Sequence, residues 1–163
     1  MSRGSDRPMA ELSRDARIDQ VARAHAIAVI AHRGQVDKLG ADYIEHPAAV
    51  AARFDATEQT LECCAAWLHD VLEDTIVDAG LLRKAGVHAE VIETVELLTR
   101  HHGQGDEYYR RIAEHPAARA VKLSDIAHNT DPARTGRLDP DTRERLRVKY
   151  QHALELLNDQ GDL

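Results

Sequence analysis

No stretch of this 163-residue chain stays apolar for long enough to cross a membrane. Cysteine is almost absent as well. The only two, Cys63 and Cys64, are adjacent within an apolar helical segment, which suits neither a structural disulfide nor a chelating spacing. Buried thiols are expected there. Positive charge is in deficit: 21 Lys and Arg against 28 Asp and Glu leave a net charge of −7. That balance speaks against a broad nucleic-acid-binding surface, because such binding depends on neutralising phosphates. A small anionic substrate is still compatible, since a bound divalent cation and a few local cations reverse the field inside one pocket. No segment alternates like a strand, and there is no internal repeat or low-complexity tract. Residues 1–14 are polar and lack the apolar core of a signal peptide. The expectation is a cytoplasmic protein with neither a membrane nor a nucleic acid as partner.

The composition, 43% hydrophobic and 30% charged, is that of a globular protein, and the length fits one domain with no room for a second catalytic one. Helical periodicity runs through it. Ile18, Val21, Ala22, His25, Ala28 and Val29 predict an amphipathic helix from Asp15 to about His32. Gly34 and Gly40 bracket a loop, and Pro47 suits the first turn of a helix reaching Phe54, which puts His46 at a helix entrance. Thr57 is placed to cap a third helix with Leu61, Ala65, Leu68 and Leu72 inside. Asp78 is placed to cap a short helix ended by Gly86, and the next runs from His88 to Thr99. Further helices are predicted over Asp106 to Glu114, Pro116 to Asn129, and from the Asp139-Pro140 start through Leu146, Tyr150, Leu154 and Leu157. The predicted fold class is all-α: one bundle of about seven to nine helices over residues 15–158, with a flexible N-terminus over 1–14 and a tail over 159–163.

Chemistry concentrates in Leu68-His69-Asp70-Val71-Leu72-Glu73-Asp74. Glu73 and Asp74 lie four residues after His69 and Asp70, so on a helix the pairs stack one turn apart. Taken alone, such a run suits a solvated acidic helix face. Placed beside Leu68 and Leu72, however, these groups need a metal or a solvent-filled cleft to receive them. Two other elements favour a site. His46-Pro47 puts an imidazole at a helix entrance, and Lys122-Leu123-Ser124-Asp125 puts a carboxylate on an otherwise apolar helix, with Asn129 one turn later. Two histidines and two aspartates make a mixed nitrogen and oxygen set suited to Mn²⁺, Zn²⁺ or Fe²⁺.

Four segments in order, Ala31-His32-Arg33-Gly34-Gln35, Gly40 to Pro47, Leu68 to Thr75, and Val121 to Asp125 with His128-Asn129, resemble the HD-domain hydrolases. Within that family they are similar to the RelA/SpoT-type alarmone hydrolases, and the length is that of the small stand-alone members, metazoan and bacterial, which lack a synthetase domain. The resemblance runs from the first helix to about Tyr150. It implies that His46, His69, Asp70 and Asp125 bind the metal, usually Mn²⁺, and that Glu73 and Asp74 orient or deprotonate the attacking water. It also implies that Asn129 and Tyr150 line the nucleotide pocket, with Lys38 and Lys122 as phosphate neighbours. The implied reaction releases pyrophosphate from the ribose 3′ oxygen of guanosine 3′,5′-polyphosphates, leaving GDP or GTP.

One departure bears on the substrate. Family members commonly carry basic residues after the glutamine matched by Gln35, whereas here Val36 and Asp37 follow and only Lys38 is basic. An aspartate there either weakens attraction to a polyphosphate or reads a different base or sugar. The alternative substrates are an adenosine 3′-pyrophosphate, the 2′-phosphate of NADPH, or a nucleoside monophosphate. A non-catalytic metal- or partner-binding helical module is the alternative from another class. His101 and His102 are expected to be solvated in a loop, His25 and His32 to be packing histidines, and Tyr108 and Tyr109 to lie in the core.

Overall fold

A computed structural model describes residues 7–159 and contains ten α-helical segments, two of them single turns, with one isolated bridge, Val36 to Asp42, among the described residues. They are α1 (Arg14–Ala31), α2 (Glu45–Ala51), α3 (Thr60–Leu68), α4 (Val71–Asp74), α5 (Ala79–Lys84), α6 (Ala89–Leu98), α7 (Asp106–Ala113), α8 (Pro116–Asn129), α9 (Pro132–Thr135) and α10 (Pro140–Asn158). The all-α expectation holds, and α4 and α9 are the single turns. No helix among the described residues is long and apolar enough to cross a membrane.

The predicted punctuation is largely where the helices begin and end. Asp78 accepts from the Leu81 amide and Asp139 from the Thr142 amide, each satisfying an otherwise unpaired first-turn donor. Gly86 takes φ 82°, the left-handed conformation that closes α5. Two boundaries differ from expectation. Thr57 is not a cap: Asp55 Oδ1 gathers the Thr57 amide, the Thr57 hydroxyl and the Glu58 amide into a tight turn, which delays α3 to Thr60. The helix after Pro47 closes at Ala51 rather than Phe54.

The centre of the bundle is α3, which packs against α1, α2, α6 and α8. Cys63, Cys64, Ala65 and Ala66 are all buried, and their small side chains let the four neighbours approach closely. Burial pushes the thiols up to about 11 for Cys63 and about 12 for Cys64, so they are inert packing groups, as expected. The stripe of α1 is rotated from its predicted phase. Of the predicted stripe, Val21 and Ala28 do pack inward, but Ile18, Ala22, His25 and Val29 are exposed and Ala24 faces the core instead. The period was correct, but the bulky residues misled on phase, because the small-residue surface of α3 is met by alanines.

Of the expected flexible ends, residues 1–6 and 160–163 lie outside the described residues. Ahead of α1 the chain is docked: Met9 is buried, its amide donates to Glu90 Oε1 (3.1 Å), and His88 Nε2 donates to the Arg7 carbonyl (2.8 Å).

Candidate metal centre and cleft

The signature run is not one continuous helix. α3 stops at Leu68, α4 starts at Val71, and His69 and Asp70 occupy the break. Both keep right-handed helical dihedrals, so their Cα–Cβ directions still differ by about 100° and it is the side chains that converge: His69 Nε2 lies 3.0 Å from Asp70 Oδ2. From α2 comes His46, buried, whose Nε2 is 3.2 Å from His69 Nε2 and 3.7 Å from Asp70 Oδ2. From α8 comes Asp125, whose Oδ1 is 3.0 Å from His46 Nε2 and 3.7 Å from His69 Nε2. The register between α2 and α8 is held by the residue next to that aspartate: the Ser124 hydroxyl donates to the Val50 carbonyl (3.0 Å).

These spacings fit one divalent cation. Donors about 2.1 Å from a metal and 90–110° apart are separated from one another by roughly 3.0–3.4 Å. The ring orientations agree with that reading. His69 Nδ1 donates to the Ala66 carbonyl (2.6 Å), so the neutral ring presents an Nε2 lone pair to the cluster. Against the burial that would lower it, the Asp70 and Asp125 carboxylates raise the His69 pKa well above its ordinary value. His46, His69 and Asp125 form one ligand-bearing group, and Asp70, Glu73 and Asp74 form a second beside it.

Around these four sits a supporting layer. Lys122 Nζ pairs with Asp125 Oδ2 (2.8 Å), and the Asn129 amide donates to Asp125 Oδ1 (2.9 Å). Burial alone would raise the Asp125 carboxyl, but the Lys122 charge and the two histidines hold it well below the usual carboxylate range. Asp70 is likewise brought to about 2, mainly by His69 acting against burial. Glu73 and Asp74 go the other way: burial, aided by the Asp70 charge, raises both. Glu73 Oε1 accepts the Arg100 amide (2.7 Å). The Tyr43 hydroxyl donates to Asp70 Oδ2 (2.5 Å) and approaches Asp74 Oδ2 (3.5 Å).

The cluster opens into a cleft of about 380 Å³. All four predicted substrate contacts, Lys38, Lys122, Asn129 and Tyr150, line it together with Glu73 and Asp74. Lys122 and Asn129 nevertheless spend their polar groups on Asp125, so both also orient that carboxylate. His101 and His102 are exposed, and Tyr108 and Tyr109 are buried, as expected. His32 is buried with Nδ1 paired to Gln35 Oε1 (2.8 Å) and Nε2 without a partner, whereas His25 is exposed and stacks on Trp67. Sequence reasoning missed Tyr43, His128, Arg134 and Lys149. Tyr43 and His128 lay inside the quoted motifs. Arg134 and Lys149 carried no local signal.

No family model matches this chain. It is 35% identical over 130 residues, 74% of its length, to the guanosine-3′,5′-bis(diphosphate) 3′-pyrophosphohydrolase of Haemophilus influenzae. Over 142 residues, 79% of its length, it is 34% identical to the bifunctional (p)ppGpp synthase/hydrolase SpoT of Escherichia coli K12. The chain is homologous to one stretch of the SpoT-type proteins. That stretch is 19% of the Haemophilus protein and 20% of SpoT, so the chain spans about a fifth of the length of the curated relatives it matches. A solved structure described as a metazoan ortholog of SpoT that hydrolyzes ppGpp and plays a role in starvation responses superposes with a TM-score of 0.69 over 85% of each chain. At 22% identity that likeness establishes a shared fold with the SpoT ortholog.

Proposed function

We propose that the chain is a Mn²⁺-dependent hydrolase of the HD type that removes pyrophosphate from the 3′ position of guanosine 3′,5′-polyphosphates. The observation that carries the reading is the convergence of His46, His69, Asp70 and Asp125 at metal-donor spacing, at the side of a cleft that also holds Glu73 and Asp74. The activities for which the Haemophilus and Escherichia relatives are named support the choice of substrate.

When bound, a divalent cation in this set supplies Lewis-acid polarisation of water and compensates charge on the phosphoryl oxygens. The residues supply the rest. Glu73 and Asp74, which line the cleft beside the four proposed ligands, are the bases for the attacking water, since a carboxylate held within reach of that water accepts its proton as the bond to phosphorus forms. Tyr43 holds Asp70 in place and reaches toward Asp74. Lys122 and Asn129 keep both oxygens of Asp125 oriented. One water is consumed, the bond between the 3′ oxygen and pyrophosphate breaks, and GDP or GTP leaves with the proton.

Charge supports a polyanionic substrate only for the metal-loaded cleft. Asp37, Asp70, Glu73, Asp74 and Asp125 line it against Lys38, Lys122, Arg134 and Lys149, so a doubly charged cation turns the balance from negative to positive. The direct test incubates purified protein and Mn²⁺ with guanosine 3′,5′-bis(diphosphate), an adenosine 3′-pyrophosphate, NADPH and nucleoside monophosphates in parallel. Preferred release of pyrophosphate from the guanosine polyphosphate upholds the reading. Preferred turnover of another nucleotide replaces the substrate and keeps the hydrolase.

A further inference from the structure

Asp37 stands where a cation would be expected beside a polyphosphate, but its charge is not presented to the cleft as a free one. Its Oδ1 accepts the Leu39 amide (2.8 Å) and the Ala41 amide (3.0 Å), which folds residues 37–41 into a tight turn. Gly40 within that turn takes φ 82°, a conformation that a side-chain-bearing residue adopts only under strain. The other oxygen, Oδ2, lies 3.4 Å from Arg134 Nη1, reaching across 97 residues of chain. The Asp37 side chain is only 10% exposed.

Arg134 is held from its other side by a rigid seat. Asp131 caps the single turn α9 through the Ala133 amide (2.9 Å). Gly136 closes it, and a Cβ there would sit 2.8 Å from the Pro132 carbonyl. Arg143 of α10 donates to the carbonyls of Thr135 (3.0 Å) and Leu138 (3.0 Å), tying the turn to the long helix. A guanidinium carries five N–H donors, and Asp37 is the side-chain partner of Arg134 among the described residues, at a distance long for a charge-assisted bond. The group therefore lines the cleft with most of its donors unspent.

We infer that Arg134 is a substrate-binding residue that grips a phosphate group of the nucleotide, and that Asp37 is the positioning residue that aims it. The inference rests on the cleft being a nucleotide site, and it reverses the meaning of the departure at Asp37. The cation that the loop lacks is supplied from α9, and the aspartate is what brings it there. A bidentate fork suits a phosphate better than a lysine ammonium would, because two parallel N–H bonds fix the orientation of the group as well as its charge.

The probe is GDP, bound to the Mn²⁺-loaded full chain and measured by calorimetry, so that no turnover is required. Arg134→Met should weaken GDP about tenfold, the range of one charged hydrogen-bonding group. Asp37→Asn keeps the Oδ1 acceptor of the turn and removes only the charge that aims Arg134, and it should weaken GDP by roughly three- to fivefold, part of the loss of that charged group. In the double variant the loss should be no larger than for Arg134→Met alone, because Asp37 acts through Arg134. Arg134→Lys should recover part of the affinity, and thermal unfolding of each variant checks that the fold is kept. Four results overturn the inference: GDP affinity unchanged in Arg134→Met, affinity unchanged or tighter in Asp37→Asn, losses that multiply in the double variant, or no GDP binding by the parent chain. Absence of pyrophosphate release from the guanosine polyphosphate, with this pattern of GDP affinities intact, sinks the proposed reaction and upholds the role of the pair.

Discussion

Nδ1 of His46 lies 2.7 Å from Nδ1 of His128, joining α2 to the end of α8 on the side of the ring that faces away from the carboxylates. One nitrogen must carry the hydrogen. Burial, with the His46 ring next to it, lowers His128 to about 4, so only one hydrogen lies between the rings, and a metal taking the His46 Nε2 lone pair would put that hydrogen on His46 Nδ1. His46 then donates from Nδ1 and keeps the Nε2 lone pair for the cluster, the arrangement that fixes a metal-ligating histidine in one tautomer.

His128→Ala should therefore weaken Mn²⁺ binding about 10- to 100-fold, the usual cost of losing such a partner. Metal titration of the apo protein by calorimetry reads this directly. Unchanged affinity would mean that His128 merely packs against His46.

Glu73→Gln separates the base from the ligands. The variant should bind Mn²⁺ like the parent and lose roughly 10²- to 10⁴-fold in kcat, the contribution expected of a positioned proton acceptor. Elemental analysis beside the rate measurement decides the role: a variant that loses its metal makes Glu73 a ligand.

The order of helices, most of their caps and the four proposed ligands were legible because each leaves a local trace: a period, a capping residue, a motif at fixed spacing. The break at His69-Asp70 left none, since Leu68 and Leu72 continue the helical period straight across it. The rotation of α1 was hidden for a related reason. Which face is buried depends on the partner helix, and the alanines that meet α3 carry little apolar weight in the sequence. Arg134 was invisible because its importance comes from Asp37, far away in the chain. Asp37 reads from the sequence as a charge that either weakens attraction to a polyphosphate or selects a different base or sugar, since its bonds to Leu39, Ala41 and Arg134 exist only once the loop is closed.

The same aspartate predicts a pH dependence of stability. Burial works to raise its pKa, but the Ala41 and Leu39 amides and the Arg134 charge hold it below the ordinary value of about 3.9. A carboxyl depressed on folding contributes stability that is present above its unfolded pKa and is lost as pH falls through its folded one. At pH 7 Asp37→Asn should cost about 1 kcal/mol, a fall in Tm of roughly 2–4 °C for a chain of this size. Below a pH of about 4 the two unfolding curves should converge. A gap that persists at pH 3 would mean that the charge of Asp37 is not what stabilises the loop.

Asp70→Asn removes one charge from the metal cluster with little change in shape. Binding of Mn²⁺ should fall steeply while the helical circular dichroism stays as in the parent, because α3 and α4 are held by packing around Leu68 and Val71. Collapse of the helical signal would instead make the cluster a folding element.

Hydrolysis at a metal held by His46, His69, Asp70 and Asp125 is the proposed activity. Its most direct test is the release of pyrophosphate and GDP from guanosine 3′,5′-bis(diphosphate) by the purified chain with Mn²⁺. Equimolar products, abolished by a chelator, restored by added Mn²⁺ and absent with Asp70→Asn, are the predicted result. Protein with Mn²⁺ demonstrably bound that releases no pyrophosphate would contradict it.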